Sequence, residues 1–410
     1  MPSIAPFVAY KPTQDTLARV ACPPYDVLSD DEARRLAKND SASFVRIIRP
    51  EVDFTTEVNP HADAVYKKGR KNLHEFIAQG LIKPSSGQCL YCYRLGRGDH
   101  TQTGIVATVS LEEYERGFIK KHEFTRQKKE NDRMRHLDET AANTGLIFLA
   151  YRARKEINDL VERQCVHEPE LQFTADDGIT HTLWAIEDPL DVRLMQSAFS
   201  RTPALYVADG HHRIAAAHGL WKQRTASGAD KDTSDYARVM AAIFPDDQLQ
   251  ILPYHRFVAD LAGLSSEEFL RELKKVFHVR ETSAPLPSSP GSLGMFIEGQ
   301  WRAIEVKNKP DSDIPIEERL DVAVLQKRLL EPILKIEDPR TNPRIEFVGG
   351  IHGASGLEKR CRELPGSVAF ACPAVTMDEL LAVADSGAVM PPKSTWFEPK
   401  LRSGILTRLL

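Results

Sequence analysis

The stretch Pro203-Ala-Leu-Tyr-Val-Ala-Asp209-Gly210-His211-His212-Arg213-Ile-Ala-Ala-Ala217 decides the fold, because it contains three structural signals in succession. An apolar run predicts a buried strand, a glycine predicts a turn, and an alanine-rich segment predicts a helix. The backbone N–H groups of a first helical turn have no partners within the helix, and the helix dipole makes that end positive. The pattern therefore predicts an anion site, most plausibly for a phosphate.

The side chains of this first turn fit the same ligand. Arg213 offers a guanidinium fork, and His211 and His212 offer donors that are neutral or charged near pH 7. Asp209 is expected either to cap the helix or to reach a metal ion bound to the phosphates. The motif indicates phosphate chemistry rather than a solvated loop.

Composition sets the limits of the interpretation. A length of 410 residues predicts two or three domains, and the net charge of −4 argues against broad nucleic-acid binding. We find no signal peptide and no apolar run long enough for a membrane span. The six cysteines are sparse for a chain of this length, which favours a reducing, cytoplasmic compartment.

Strand and helix signals alternate along the chain and predict a mixed α/β protein. We expect an N-terminal α/β segment over residues 1–95 and a catalytic core over 96–260, with an insertion at about 136–200. A second α/β domain is expected over 261–410, with a tail that returns to the site.

A charge-dense stretch, Lys120 to Arg135, has seven basic and three acidic residues, and the difference of +4 reverses the sign of the whole chain. A solvated helix and an anion-facing groove are the two interpretations. The residues that would line such a groove are Thr125, Lys128, Asp132 and Arg133.

The segment Met390 to Lys400 combines turn residues, two lysines, two hydroxyls and two aromatic side chains. C-terminal segments are usually polar and frayed, so this much chemistry favours a segment that folds back over a site. Lys400 is a further candidate residue of that site, where it would assist in binding the substrate or phosphate.

Three segments in order resemble the free L-serine kinases of archaea: Ile119-Lys-Lys-His122-Glu123, Asp209-Gly-His-His-Arg213 and Pro392-Lys393-Ser394-Thr395. The whole chain also resembles the bacterial family named domain of unknown function 1015. That second resemblance includes the segments Ala21-Cys-Pro-Pro-Tyr-Asp-Val27, Gly117 to Thr125 and Leu252-Pro-Tyr-His-Arg256. In the compact kinases the glutamate lies close to the DGHHR motif, whereas 86 positions separate Glu123 from Asp209 here.

The resemblance implies a ParB/sulfiredoxin-like nucleotide-binding core with a large insertion. It implies an enzyme that transfers a phosphoryl group from ATP or ADP, with magnesium, to the hydroxyl of a small molecule such as L-serine. Glu123 would act as base. The residues implied for the nucleotide phosphates are Asp209, Gly210, His211, His212 and Arg213, and His212 is also implied as catalytic. The residues implied for the substrate are Lys393, Ser394, Thr395 and Trp396.

A second hypothesis is a ParB-like protein that binds or hydrolyses a nucleotide as a switch, without kinase activity. It predicts a basic DNA-binding helical domain, of which the sequence gives no sign. A third, a sulfiredoxin-like enzyme acting on a protein, predicts a cysteine near the phosphate motif; the nearest, Cys165, lies in no supporting motif. The acceptor, the choice between ATP and ADP, and the oligomeric state stay open.

Overall fold

The computed structural model describes residues 1–56, 58–228, 230, 234–287, 290–311 and 313–410. The strands are β1 (Ile4–Ala5), β2 (Tyr10–Lys11), β3 (Lys83–Pro84), β4 (Leu90–Arg97), β5 (His100–Ser110), β6 (Ile119–Lys120), β7 (Ala142–Asn143), β8 (Ile147–Tyr151), β9 (Leu171–Thr174), β10 (Thr180–Ile186), β11 (Leu205–Asp209), β12 (Arg238–Pro245), β13 (Gln250–Leu252), β14 (Tyr254–Val258), β15 (Phe277–Glu281), β16 (Ser292–Ile297), β17 (Gln300–Val306), β18 (Ile345–Gly349), β19 (Val368–Ala371), β20 (Trp396–Glu398) and β21 (Arg408–Leu409).

The α-helices are α1 (Gln14–Val20), α2 (Asp30–Asn39), α3 (Val45–Ile48), α4 (Asp63–Ala78), α5 (Leu111–Glu115), α6 (Gln127–Thr140), α7 (Lys155–Cys165), α8 (Pro189–Phe199), α9 (His211–Ala226), α10 (Ser266–Val276), α11 (Ile316–Arg319), α12 (Asp321–Leu325), α13 (Gly353–Glu363) and α14 (Met377–Ser386). The mixed α/β class predicted from the sequence is confirmed. Within the described residues, no helix is both long and apolar enough to cross a membrane.

The chain divides into two compact units. Unit 1 contains Met1–Lys121, Thr125–Leu249 and Pro399–Leu410, and unit 2 contains His122–Phe124 and Gln250–Glu398. The boundary predicted near residue 95 falls inside β4, and the proposed insertion at 136–200 belongs to unit 1. The boundary predicted near residue 260 falls in unit 2, shortly after β14.

Unit 1 is built on a mixed sheet with the strand order β6-β11-β8-β12-β5-β4-β10-β9, and β1 pairs with β5 at one side. The pairs β11–β6 and β12–β8 are parallel, while β11 pairs antiparallel with β8. Residues Leu205 to Ala208 are buried, as the apolar run predicted. The pairing of β11 with β8 shifts in register between Val207 and Asp209, at the end of β11. Such irregularities commonly change the direction in which a side chain leaves the strand.

Unit 2 contains an antiparallel sheet with the order β15-β17-β16-β19-β14-β18, and a separate antiparallel pair, β13–β20. Phe257 of β14 lies in the core that Leu357 of α13 covers. Because side chains alternate across a strand, Tyr254 and Arg256 are directed to the face opposite Phe257. This alternation determines which β14 residues meet the 390–395 segment.

Candidate functional site

The predicted strand, glycine turn and helix are present in unit 1. β11 ends at Asp209, Gly210 has a φ of +94°, and α9 begins at His211. Glycine adopts this left-handed conformation without the steric cost that a Cβ brings. The turn aims the first-turn amides of α9 past the carboxyl end of β11, as an anion site at a helix N-terminus requires.

Arg213 folds back over this turn instead of extending into solvent. Its Nη1 donates to the Leu146 carbonyl at 2.7 Å, and a Cβ built on Gly210 would lie 3.0 Å from Nε. Burial opposes the charged form of Arg213, but Asp26 and Asp209 outweigh it and raise the pKa of the guanidinium. The side chain is 15% exposed, so it is a fixed cation near the surface of the turn.

Asp209 does not cap α9, which corrects the capping expectation. The strand continues to Asp209, so the residue that precedes α9 is Gly210. Asp209 Oδ1 accepts a hydrogen bond from the Gly210 N–H at 2.7 Å. Its Oδ2 lies 2.8 Å from Lys400 Nζ. Burial opposes ionisation of Asp209, but Lys400 and Arg213 outweigh it and lower the pKa of the carboxyl group.

The two histidines of the motif differ in their surroundings. His211 is buried, whereas His212 is only partly buried and its Nε2 accepts from the Arg126 N–H at 3.1 Å. Burial, together with the neighbouring Lys129, lowers the pKa of His212 to about 4. His212 is therefore neutral near pH 7, and its imidazole supplies no fixed positive charge to the turn.

The predicted groove residues lie in unit 1, with Thr125 two residues before α6 and the other three in its first half. The hydroxyl of Thr125 donates to Glu130, and Lys128 is exposed. Asp132 accepts hydrogen bonds from Tyr66 Oη at 2.6 Å and from Arg133 Nε at 2.9 Å. Burial opposes ionisation of Asp132, but Arg133 outweighs it and lowers the pKa of the carboxyl group.

Asp132 and Arg133 therefore fix one another. The Arg133 guanidinium also stacks 4.2 Å from the centre of the Tyr25 ring. Arg133 and Arg213 both line a cavity in unit 1, which with its open mouth encloses about 540 Å³. Sequence reasoning missed His136, which shares this lining, and also the polar residues Asn143, Thr144 and Ser403. No motif marked them, because Asn143 and Thr144 lie at and just after the end of the two-residue strand β7, and Ser403 lies far away in sequence, in the last piece of unit 1.

The predicted catalytic glutamate belongs to unit 2, through the short segment His122–Phe124. His122 joins this segment to the C-terminal motif: its carbonyl accepts from the Met390 N–H at 2.8 Å, and its Nε2 lies 3.2 Å from Thr395 Oγ1. Glu123 follows His122 directly, so the backbone of the proposed base is tied to the turn that carries Lys393.

The predicted substrate residues form a compact turn in unit 2. Lys393 has a φ of +54°, and Ser394 Oγ donates to the Pro391 carbonyl at 2.6 Å. Lys393 Nζ lies 3.3 Å from Tyr254 Oη and 5.1 Å from the centre of that ring. Trp396 packs edge-on against Tyr254, so Lys393 and Trp396 contact the same side chain.

The described side chains do not by themselves form a metal site. Within the described ranges, no group of three or more histidine, cysteine, aspartate or glutamate side chains is arranged to hold a metal ion. The six cysteines are free thiols.

The fold and these clusters define a mixed α/β protein with a strand–glycine–helix turn that carries a largely buried arginine. The chain belongs to the family described as "Protein of unknown function (DUF1015)", whose model matches residues 4–323. None of the curated proteins matches it.

Several solved structures are similar to the chain. A mutant of free serine kinase in complex with AMP is 16% identical, with 71% of this chain and 87% of that chain covered and a TM-score of 0.37. SbnI with a C-terminal truncation, from Staphylococcus aureus, is 11% identical, with 73% and 85% covered and a TM-score of 0.40. A conserved hypothetical protein from Pyrococcus furiosus is 17% identical, with 74% and 95% covered and a TM-score of 0.35.

Proposed function

We propose that this protein is a phosphotransferase that moves a phosphoryl group from ATP or ADP to the hydroxyl of a small molecule such as L-serine. The observation that carries the proposal is the turn at Gly210, where the first-turn amides of α9 and the guanidinium of Arg213 converge. Preorganised N–H groups and a fixed guanidinium are the elements that bind phosphate oxygens and stabilise their charge during transfer.

Unit 1 supplies the phosphate-binding residues in this proposal. The amides of His211 and His212 donate to phosphate oxygens, and Arg213 adds its fork. Lys400 neutralises Asp209, so that the carboxylate does not repel an incoming phosphate. His212 acts as a neutral imidazole, which agrees with its lowered pKa.

Unit 2 supplies the acceptor-binding residues in this proposal. Glu123 accepts the proton of the attacking hydroxyl, and the turn that holds Lys393, Ser394 and Thr395 binds the rest of the acceptor. The hydrogen bonds between His122 and this turn support the assignment, because they hold Glu123 and Lys393 in one local framework. Base and acceptor must be held in register for general base catalysis.

Magnesium enters the proposal only with the nucleotide. Asp209 and Asp26 are the carboxylates near Arg213, and they would hold the ion through water while the phosphates provide its remaining ligands. The ion would supply neutralisation of phosphate charge.

The test is a turnover screen of the purified protein with magnesium and either ATP or ADP. The acceptors are small hydroxy acids, amino acids and neutral alcohols, with L-serine first, and products are identified by mass spectrometry. We expect a phosphorylated acceptor, and we expect Glu123→Gln to abolish its formation while nucleotide affinity stays within about twofold.

Glu298→Gln is the matched control, because Glu298 lies outside the proposed machinery in the turn between β16 and β17. Preserved transfer in Glu123→Gln, or a loss of transfer that is explained by lost nucleotide binding, would overturn the assignment of the base. Nucleotide hydrolysis without any phosphorylated acceptor would replace the kinase by the nucleotide-switch hypothesis.

A further inference from the structure

Arg256, in the middle of β14, is a buried cation. The residue is 3% exposed, and within the described part of the chain no carboxylate lies within ion-pair distance of it. Burial is the main reason that the pKa of its guanidinium is lowered. Buried charges in proteins are normally paired, because removing an ion from water is costly. A buried arginine that lacks an acid therefore needs another explanation.

The guanidinium of Arg256 donates hydrogen bonds to two backbone carbonyl groups. Its Nη1 donates to the Tyr254 carbonyl at 3.0 Å, and its Nη2 donates to the Pro392 carbonyl at 3.2 Å. The group also lies 4.5 Å from the centre of the Phe347 ring. Pro392 directly precedes Lys393, so Arg256 is bonded to the peptide group that begins the strained residue of the turn.

Lys393 requires such support. Its φ of +54° lies in the left-handed region, which a residue with a Cβ adopts at a cost and keeps only when the surroundings impose it. The bond from Arg256 fixes one side of Lys393, and the bond from Ser394 Oγ to the Pro391 carbonyl fixes the turn itself. With its backbone held in this way, Lys393 places its ammonium group over Tyr254.

Lys393 also lacks an acidic partner among the residues that the structure describes; its polar contact is with Tyr254 Oη. The buried carboxylate of this region, Glu398, accepts from the Trp396 indole at 2.6 Å, and in the described part of unit 2 it forms no ion pair with either cation. Buried Arg256, which bonds the Tyr254 carbonyl, and exposed Lys393, which contacts the Tyr254 side chain, thus lie beside the same residue, and no ion pair joins either of them to a described carboxylate. Two neighbouring cations of this kind attract an anionic group.

We propose that Arg256 is a positioning residue that holds Lys393 in place, and that these two cations select an acceptor which carries a carboxylate beside its hydroxyl. The inference deepens the proposed function and depends on it for the acceptor. Lys393 contacts the carboxylate, whereas Arg256 acts through the Pro392 carbonyl and through its uncompensated charge.

The first experiment follows the turn itself and needs no catalysis. Hydrogen exchange measured by mass spectrometry on the full chain reports the amides of peptides that cover 388–398. In Arg256→Met we expect at least about tenfold faster exchange in these peptides, since the bond to Pro392 is lost, and unchanged exchange in the peptide that covers α9. Arg256→Lys, which keeps the charge but not both bonds, should give an intermediate rate.

The second experiment compares acceptors that differ in charge: D-glycerate, L-serine, glycerol and ethanolamine. We expect phosphorylation of the first two only. Arg256→Met should raise the acceptor KM by about tenfold or more while the nucleotide Kd is unchanged, and Arg256→Lys should recover part of the loss. Arg280→Met, on the exposed edge strand β15 of the same sheet, is the control that should match the unaltered protein.

The outcomes separate the two proposals. If no acceptor is phosphorylated by the unaltered protein, the proposed function fails, and hydrogen exchange still decides whether Arg256 holds the turn. If glycerol is phosphorylated as well as glycerate, the carboxylate selection is wrong. If exchange in 388–398 is unchanged in Arg256→Met, or rises equally throughout the chain, Arg256 is not a positioning residue for Lys393.

Discussion

Lys400 and Asp209 form an ion pair within unit 1 although 191 positions separate them in the chain, with Nζ 2.8 Å from Oδ2. Their side chains are only 17% and 24% exposed. Asp209 therefore lies at the end of a buried strand as a compensated anion, and the charge of the Gly210 turn depends on a lysine from the last segment of unit 1.

The ion pair predicts the behaviour of Lys400→Met. Leaving Asp209 without its nearest cation should destabilise the protein by about 1–3 kcal/mol, because the partly buried carboxylate then keeps only the more distant Arg213, whose Nη2 lies 3.7 Å from Oδ1. It should also weaken nucleotide binding by about tenfold, since the carboxylate then repels phosphate. Thermal denaturation and calorimetric titration with ADP measure the two effects.

The double variant Lys400→Met with Asp209→Asn completes the cycle. Removing both charges should restore most of the stability. Equal stability losses in the single and double variants would mean that the pair contributes through packing and not through charge.

Gly210 predicts a second effect. Gly210→Ala should cost about 1–2 kcal/mol, because alanine is strained at a φ of +94° and its Cβ would lie 3.0 Å from Arg213 Nε. The displaced guanidinium should lower nucleotide affinity at the same time. Unfolding and nucleotide titration report both quantities.

Gly228→Ala is the matched control, since Gly228 has a φ of +98° and, among the described residues, no atom lies within 4 Å of the place that a Cβ would take. It should show the backbone cost without the loss of nucleotide affinity. If nucleotide affinity falls in both variants, the contact between the new Cβ and Arg213 is not the cause of the loss.

The third prediction is that nucleotide affinity depends on the geometry of the Arg213 guanidinium more than on its charge. Arg213→Lys retains the positive charge but cannot both bond the Leu146 carbonyl and keep a fork on the turn. Nucleotide affinity should fall by about tenfold or more, which corresponds to about 1.4 kcal/mol. Arg224→Lys, near the other end of α9, should leave affinity unchanged; unchanged affinity in Arg213→Lys would exclude bidentate recognition by this residue.

Buried His136 predicts a dependence of stability on pH. Burial lowers its pKa to about 4 from the usual 6.5, and its Nε2 bonds the Ile47 carbonyl. Between these two values the unfolded chain binds the additional proton, so stability falls as pH falls from about 6.5 towards 4. At pH 5 this histidine alone should cost about 2 kcal/mol relative to pH 7.

Melting temperatures at pH 5 and pH 7 measure this effect. The difference between them should shrink in His136→Gln and persist in His278→Gln, which alters an exposed histidine on β15. A pH dependence that is the same in His136→Gln would assign the effect to other groups.

The sequence predicted the local elements well where one short segment contains the whole signal. One stretch contains the apolar run before Asp209, the glycine and the alanine-rich helix. The conformation of each of these elements depends mainly on its own residues. The left-handed φ of Gly210 follows directly from the missing side chain. The mixed α/β class followed from the same kind of alternation along the chain.

The partners of these residues could not be predicted in the same way. Nothing local indicates that Leu146 offers its carbonyl to Arg213, or that Pro392 accepts from Arg256, because such contacts depend on how distant strands are ordered. The capping expectation for Asp209 was wrong for a related reason: the strand continues to Asp209, and Gly210 takes the capping position.

Unit 1 consists of three separated pieces of chain, and the last piece, Pro399–Leu410, follows all of unit 2 in sequence. β21, in this piece, pairs with β7. During translation, a ribosome must therefore finish the 250–398 segment before unit 1 can acquire its last strand and Lys400. A nascent chain that stops at residue 249 would leave β7 without its partner strand and Asp209 without its nearest cation, so unit 1 is expected to mature only after synthesis has passed through unit 2.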